Sequence, residues 1–138
     1  MPYSELMIRP FREELTRIGF EELRTPDQVD QALTSEEPVL VVVNSVCGCA
    51  AGKARPGIAL SLRGAKKPAR LTTVFAGADE DATARVRTTY LGEYPPSSPS
   101  VALLKGGKPV YVMHRRDIEG ASPEQIAAKL SEAYEAHC

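Results

Sequence analysis

Cys47, Cys49 and Cys138 are the cysteines of this 138-residue chain, and the first two stand as Cys47-Gly48-Cys49. An odd cysteine count, with no apolar leader in MPYSELMIRP, reads against a secreted disulfide framework and toward a reducing cytosol. In that setting, closely spaced cysteines are redox or metal groups more often than staples. Residues i and i+2 can bring their Cα atoms to roughly 5–7 Å, and a disulfide needs about 4.4–6.8 Å. A Cys47–Cys49 bridge is therefore possible but tight, with Gly48 supplying backbone freedom. A tight bridge is more oxidising than a relaxed one. Such a pair suits the resolution or isomerisation of mixed disulfides better than the storage of reducing power. Cys47 is read as the attacking thiolate and Cys49 as the resolving thiol.

Two other readings stand beside this one. Buried thiols are common in cores as small hydrophobes. Cys47, Cys49, His137 and Cys138 could also supply four soft ligands to zinc, although a one-residue gap is shorter than the usual two to four, and a chain of this length needs no metal to hold a core. Cys138 by itself is either a frayed tail or a third redox thiol.

The elements that must position these thiols follow from periodicity. Residues 2–18 read as an amphipathic helix with Leu6, Phe11, Leu15 and Ile18 on its apolar face, interrupted at Pro10 and ended by Gly19. Thr25 caps a second helix to Leu33 with Pro26 in its first turn. The run 39–44, Val-Leu-Val-Val-Val-Asn, has no alternation, which marks a strand buried on both faces. The Cys-Gly-Cys triplet follows it directly, and a helix over 50–62, kinked at Pro56-Gly57, follows the triplet. A thiol between that strand and that helix meets unpaired N–H groups and the positive end of the helix dipole, which favour thiolate. A thiol of pKa about 8.5 is some 7% thiolate near pH 7.4; at about 6.5 it is roughly 90%. Residues 71–76 form a further strand, 79–91 a helix, and 101–104 with 109–113 a hairpin across Gly106-Gly107. Ser122-Pro123 opens a last helix reaching His137.

Strand–helix–strand units with right-handed crossovers make parallel neighbours, and the hairpin adds an antiparallel edge. The expected fold is α/β: a thioredoxin-like, three-layer domain over 1–138, with helices on both faces of a central mixed sheet. Residues 1–37 are read as an N-terminal helical extension and 38–138 as the core. In Ser98-Pro99-Ser100 a proline precedes a strand. A cis bond there would let the backbone pair with an incoming peptide or thiol, but only about 5–6% of X-Pro bonds are cis, so the residues alone favour trans.

Composition excludes several classes. Hydrophobic residues are 43%, charged residues 25%, and the net charge is −1, which fits a globular chain and gives no reason to expect nucleic acid. The longest purely apolar run, 39–43, is far short of the roughly 18 residues a membrane span needs. No Asp or Glu occurs from 38 to 78, where Lys53, Arg55, Arg63, Lys66, Lys67 and Arg70 stand. That block is expected to favour the Cys47 thiolate.

Val42-Val43-Asn44-Ser45-Val46-Cys47-Gly48-Cys49-Ala50-Ala51-Gly52 and Ala54-Arg55-Pro56 resemble the bacilliredoxins, thioredoxin-like proteins also described as disulfide isomerases. Val74-Phe75-Ala76-Gly77, Ser97-Ser98-Pro99-Ser100, Ile118-Glu119-Gly120 and Ala136-His137-Cys138 resemble them too. His114-Arg115-Arg116 departs from the pattern. The resemblance implies an enzyme that removes bacillithiol from bacillithiolated cytosolic proteins. Cys47 would take bacillithiol as a mixed disulfide and Cys49 would help release it. Pro99 falls at the cis-proline position, which makes Gly48, Ser98 and Pro99 the expected substrate-binding residues. No bound cofactor is implied. Bacillithiol is a thiol co-substrate, and bacillithiol or a reductase regenerates the enzyme. Its malate group is an anion that the basic block could receive. A general protein disulfide isomerase or oxidoreductase is the nearest rival, and a metal-binding protein a more distant one.

Overall fold

The computed structural model describes residues 3–138. Five strands form one sheet in the order β1-β3-β2-β4-β5. β2 (Val39–Asn44) is central, parallel to β3 (Arg70–Phe75) on one side and antiparallel to β4 (Ser100–Lys105) on the other. All six β2 residues are buried, and alternate side chains enter opposite cores. Leu40 and Val42 join one apolar cluster, while Val39, Val41 and Val43 join the other. This two-faced burial is why the run shows no polar alternation. β5 (Lys108–Met113) pairs antiparallel with β4 across Gly106-Gly107, whose φ values of 62° and 79° meet the demand of the tight hairpin turn.

β1 (Glu21–Glu22) was not visible to the periodicity argument: two glutamates carry no strand signal. It pairs parallel with the outer side of β3, so the stretch before residue 38, read as helical only, also supplies an edge strand.

The N-terminal helix also differs from expectation. α1 (Glu5–Thr16) runs through Pro10 and turns Ile8, Arg12 and Leu15 inward, whereas Leu6 is 77% exposed. Arg12 explains the choice of face. Its guanidinium sits 5.3 Å from the Phe75 ring centroid and forks onto Asp79 with two 2.8 Å hydrogen bonds, while Glu5 accepts at 2.7 Å. Burying a paired guanidinium fixes α1 on the corner after β3, and the apolar face is built around that contact.

One helical layer holds α1, α3 (Arg55–Ser61) and α6 (Pro123–His137); the other holds α2 (Pro26–Leu33) and α4 (Glu80–Arg85). The caps behave as read. The Thr25 hydroxyl accepts from the Gln28 N–H at 3.2 Å, and Ser122 and Gln125 cap reciprocally at 3.1 and 2.9 Å. The helix after the triplet is not a simple Pro-kinked α-helix. It passes through a π-helical turn at Ala50–Ala54 before α3, with Pro56 in α3's first turn. The helix expected over 79–91 likewise becomes α4 followed by a π turn at Val86–Tyr90. α5 (Arg115–Glu119) was missed. Its signal was Asp117, whose carboxylate accepts the His114 N–H at 2.9 Å at the head of the helix.

α3 crosses α6 at Gly57, where a Cβ would lie 2.6 Å from Ile126 Cγ2 and 2.8 Å from its Cβ. Gly57→Ala is expected to cost about 1–3 kcal/mol, because the neighbour is a branched core side chain and overpacking forces the two helices apart. Urea unfolding measures this, and an unchanged midpoint would show that the crossing has slack.

Candidate active site

β2 delivers the chain to the site, and its last residue organises the turn. The Asn44 carbonyl oxygen Oδ1 accepts the Ser45 N–H at 2.9 Å and Arg55 Nη1 at 2.9 Å, and Nδ2 donates to the Phe11 carbonyl at 3.2 Å. Arg55 Nη1 also reaches the Ser45 carbonyl at 3.1 Å, and its guanidinium stacks 5.1 Å from the Phe11 ring centroid. Glu14 Oε1 lies 3.2 Å from Arg55 Nε but off the N–H direction, so this contact is charge against charge rather than a hydrogen bond. The Ser45 hydroxyl then accepts the Cys47 N–H at 3.0 Å.

Cys47 occupies the cap of the following helical turn. Its carbonyl accepts the N–H groups of Ala50 (3.0 Å) and Ala51 (3.2 Å), and its Sγ accepts the Cys49 N–H at 3.3 Å. The sulfur takes the place that a serine or aspartate oxygen takes in an ordinary N-cap. The Cys49 N–H, with further help from the Cys49 thiol, Arg115 and the Ala50 N–H, holds Cys47 below the usual thiol range against partial burial. Cys49 moves the other way. Burial raises it first, then the hydrogen bond to Cys47 and the negative charge there. The two thiols, two residues apart, are thus unequal: one is shifted toward the thiolate, the other toward the thiol. Both are free and half-buried.

The cation that assists Cys47 is Arg115, not the acid-free block. Arg55 is buried in the network beneath the turn, Lys53 donates to the Glu119 carbonyl, Lys66 points to the Glu135 carbonyl and Arg70 pairs with Glu21. Charge along the sequence misled because the block is spread over the π turn, α3, the loop after it and the start of β3.

A cleft of about 280 Å3 opens beside Cys47, with Ser98, Gly77, Tyr3, Arg87 and Arg115 on its walls. The Ser98–Pro99 bond is cis, against the trans reading that the residues alone favoured and as the resemblance implied. Pro99 is buried. Gly48 is exposed, its backbone is not left-handed, and a Cβ there would meet nothing within 4 Å. In this dithiol state nothing in the fold requires glycine at 48.

Cys138 and His137 are elsewhere. The His137 carbonyl accepts from Lys105, at the end of β4 away from Ser100, and a six-residue strand spans about 17 Å. The four-ligand set of Cys47, Cys49, His137 and Cys138 is therefore not assembled. Burial raises the Cys138 thiol, opposed by Lys105 and Lys66. Sequence reasoning missed Arg87, Arg115 and the positioning roles of Asn44 and Arg55. Arg115 carried one signal, the departure of His114-Arg115-Arg116 from the pattern around it.

A strand-to-helix turn presenting an unequal dithiol beside a cis-proline loop, on a sheet of this order, defines a thiol oxidoreductase of the thioredoxin fold. Thioredoxins solved from Malassezia sympodialis (TM-score 0.56, 13% identity, 86% of this chain and 90% of that chain) and Arabidopsis thaliana (thioredoxin O2 in its oxidised state; 0.54, 18%, 86% and 96%) share the fold. The family described as "Disulphide isomerase" matches residues 3–138. Bacilliredoxins of Koribacter versatilis (55% identical, 99% of this chain and 94% of the relative), Salinibacter ruber (51%, 100% and 81%) and Bacillus cereus (51%, 99% and 95%) are similar over nearly the whole chain. The chain belongs to the bacilliredoxin family.

Alkylation by neutral iodoacetamide follows the thiolate fraction. Cys47 should therefore be alkylated with an inflection below the ordinary thiol range and Cys49 with one above it, read by peptide mass spectrometry across pH. Arg115→Gln should shift the Cys47 inflection upward. A common inflection for both cysteines would refute the asymmetry.

Proposed function

We propose that this thiol oxidoreductase removes bacillithiol from mixed disulfides on cytosolic proteins. The Cys47 thiolate attacks the bacillithiol sulfur, a Cys47–bacillithiol disulfide forms, and the protein thiolate leaves and takes a proton. Cys47 then carries no charge and no longer accepts a proton from Cys49, so two of the causes that hold the Cys49 proton disappear. Cys49 deprotonates, attacks Cys47 Sγ and expels bacillithiol as thiolate. The enzyme ends as the Cys47–Cys49 disulfide, having given two electrons to the substrate. A low-molecular-weight thiol such as bacillithiol, or a reductase, returns those electrons.

The observation that carries this reading is the Cys47 sulfur accepting the N–H of Cys49 at the helix start, with the second thiol on that same residue. The substrate is supported by the relatives' name alone. Ser98 in the cleft wall and Pro99 beside it are assigned to substrate binding, and Gly48 to the exposed face over which the disulfide enters. Cys138, at the far end of the sheet, takes no part in this scheme.

Intact-protein mass spectrometry after incubation with oxidised bacillithiol tests the proposal. Cys49→Ser should accumulate one bacillithiol on Cys47, the wild type should resolve it to the internal disulfide, and Cys47→Ser should form no adduct there. Turnover by Cys47→Ser would overturn the mechanism. The description of the matching family as a disulfide isomerase favours a second reading, general disulfide exchange. Activity on scrambled ribonuclease equal to that on a bacillithiolated protein would select it.

A further inference from the structure

Arg87 is a half-buried guanidinium in the π turn after α4. Its Nε is enclosed and has no hydrogen-bond partner, and Nη2 makes one long contact, 3.4 Å, to the Ser97 carbonyl. No ion pair among the described residues involves it. An enclosed guanidinium N–H without an acceptor is costly. Arg115 lines the same cleft, anchored by long contacts to the Ser98 carbonyl (3.4 Å) and Glu119 (3.5 Å). Two cations thus line the cleft with Cys47, one of them with no carboxylate beside it, whereas the arginines elsewhere with buried side chains each have one: Arg12 pairs with Asp79, and Arg55, whose Nε also lacks a hydrogen-bond partner, lies against Glu14.

We propose that Arg87 and Arg115 form an anion subsite that receives the carboxylates of the small-thiol half of the substrate disulfide. The assignment to the small thiol follows from the order of events. The half that becomes bonded to Cys47 must lie in the cleft that Cys47 lines, while the other half departs. Guanidinium groups suit carboxylates because their paired N–H groups match both oxygens, and a dicarboxylate can engage both side chains. The inference rests on the proposed function, in which Cys47 attacks the small-thiol sulfur, but not on which dicarboxylate thiol is the natural one.

The test uses 2-pyridyl disulfides of mercaptosuccinate and of mercaptoethanol. Cys47 attacks the aliphatic sulfur, the Cys47–S bond forms, the bond to the pyridyl sulfur breaks, and pyridine-2-thione leaves with the electron pair and can be followed optically. Each rate is divided by that of a free thiolate with the same probe. The wild type should then prefer mercaptosuccinate, and Arg87→Gln should reduce that preference about 10-fold, the size expected for a lost charge-assisted hydrogen bond. Arg63→Gln, the same charge change at an exposed remote position, should leave the preference as it is. If Arg87→Gln does not fold, Arg87→Lys together with the salt dependence of the wild-type preference decides: a preference insensitive to both would overturn the subsite. Equal rates for the two probes in wild type would overturn it as well. So would a stronger preference for acidic over neutral peptide disulfides than for mercaptosuccinate over mercaptoethanol. A mercaptosuccinate preference lost in Arg87→Gln, with no adduct from oxidised bacillithiol, would keep the subsite and reject bacillithiol as its ligand.

Discussion

The turn that carries the two thiols is built over a buried cation. Arg55, 3% exposed, lies under the turn between β2 and the first helical turn after it. It is tolerable there only because Asn44, Ser45 and the Phe11 ring surround it and Glu14 balances its charge. Those partners come from three parts of the frame: Phe11 and Glu14 from α1, Asn44 from the end of β2, and Ser45 from the turn. Satisfying one guanidinium therefore sets the positions of all three. The Ser45 hydroxyl passes that order on to the Cys47 N–H.

From that point the asymmetry of the thiols is geometric. Cys47 comes first in the chain, so its sulfur can fold back onto the next turn's N–H groups, and Cys49 supplies the donor. Cys49 lies one step into the helix and packs against the main core, where burial raises its thiol. A single intervening residue makes each thiol part of the other's environment. Removing the charge on one thiol therefore changes the acidity of its neighbour.

The frame around the pair is held by contacts of different kinds. The Arg12–Asp79 fork ties α1 to the corner after β3, close to Gly77 and the cleft wall. Gly57 lets α3 and α6 approach closely, and the two π turns depart from regular helix on either side of the site. Such wide turns occur often at functional sites because they displace side chains from the regular helical rows. Here one follows Cys49 and the other carries Arg87.

Much of this was legible in the chain itself. The unbroken apolar run 39–44, the capped helices at Thr25 and Ser122, the Gly106-Gly107 hairpin and the Cys-Gly-Cys triplet after a central strand each rest on local rules, and local rules act through residues close in sequence. They were sufficient for the fold class and for placing the triplet between the central strand and a helix. What local rules cannot reach is pairing across the fold. The two-residue strand β1 exists because β3 offers it an edge, and α1 shows Ile8 and Arg12 inward because Asp79 waits 67 residues away. Lys53, Arg55, Lys66 and Arg70 of the acid-free block turned to separate partners, while Arg87 and Arg115, 28 residues apart, came to line one cleft with Cys47. Those outcomes depend on which charges and edges meet after collapse, and only the tertiary structure decides that.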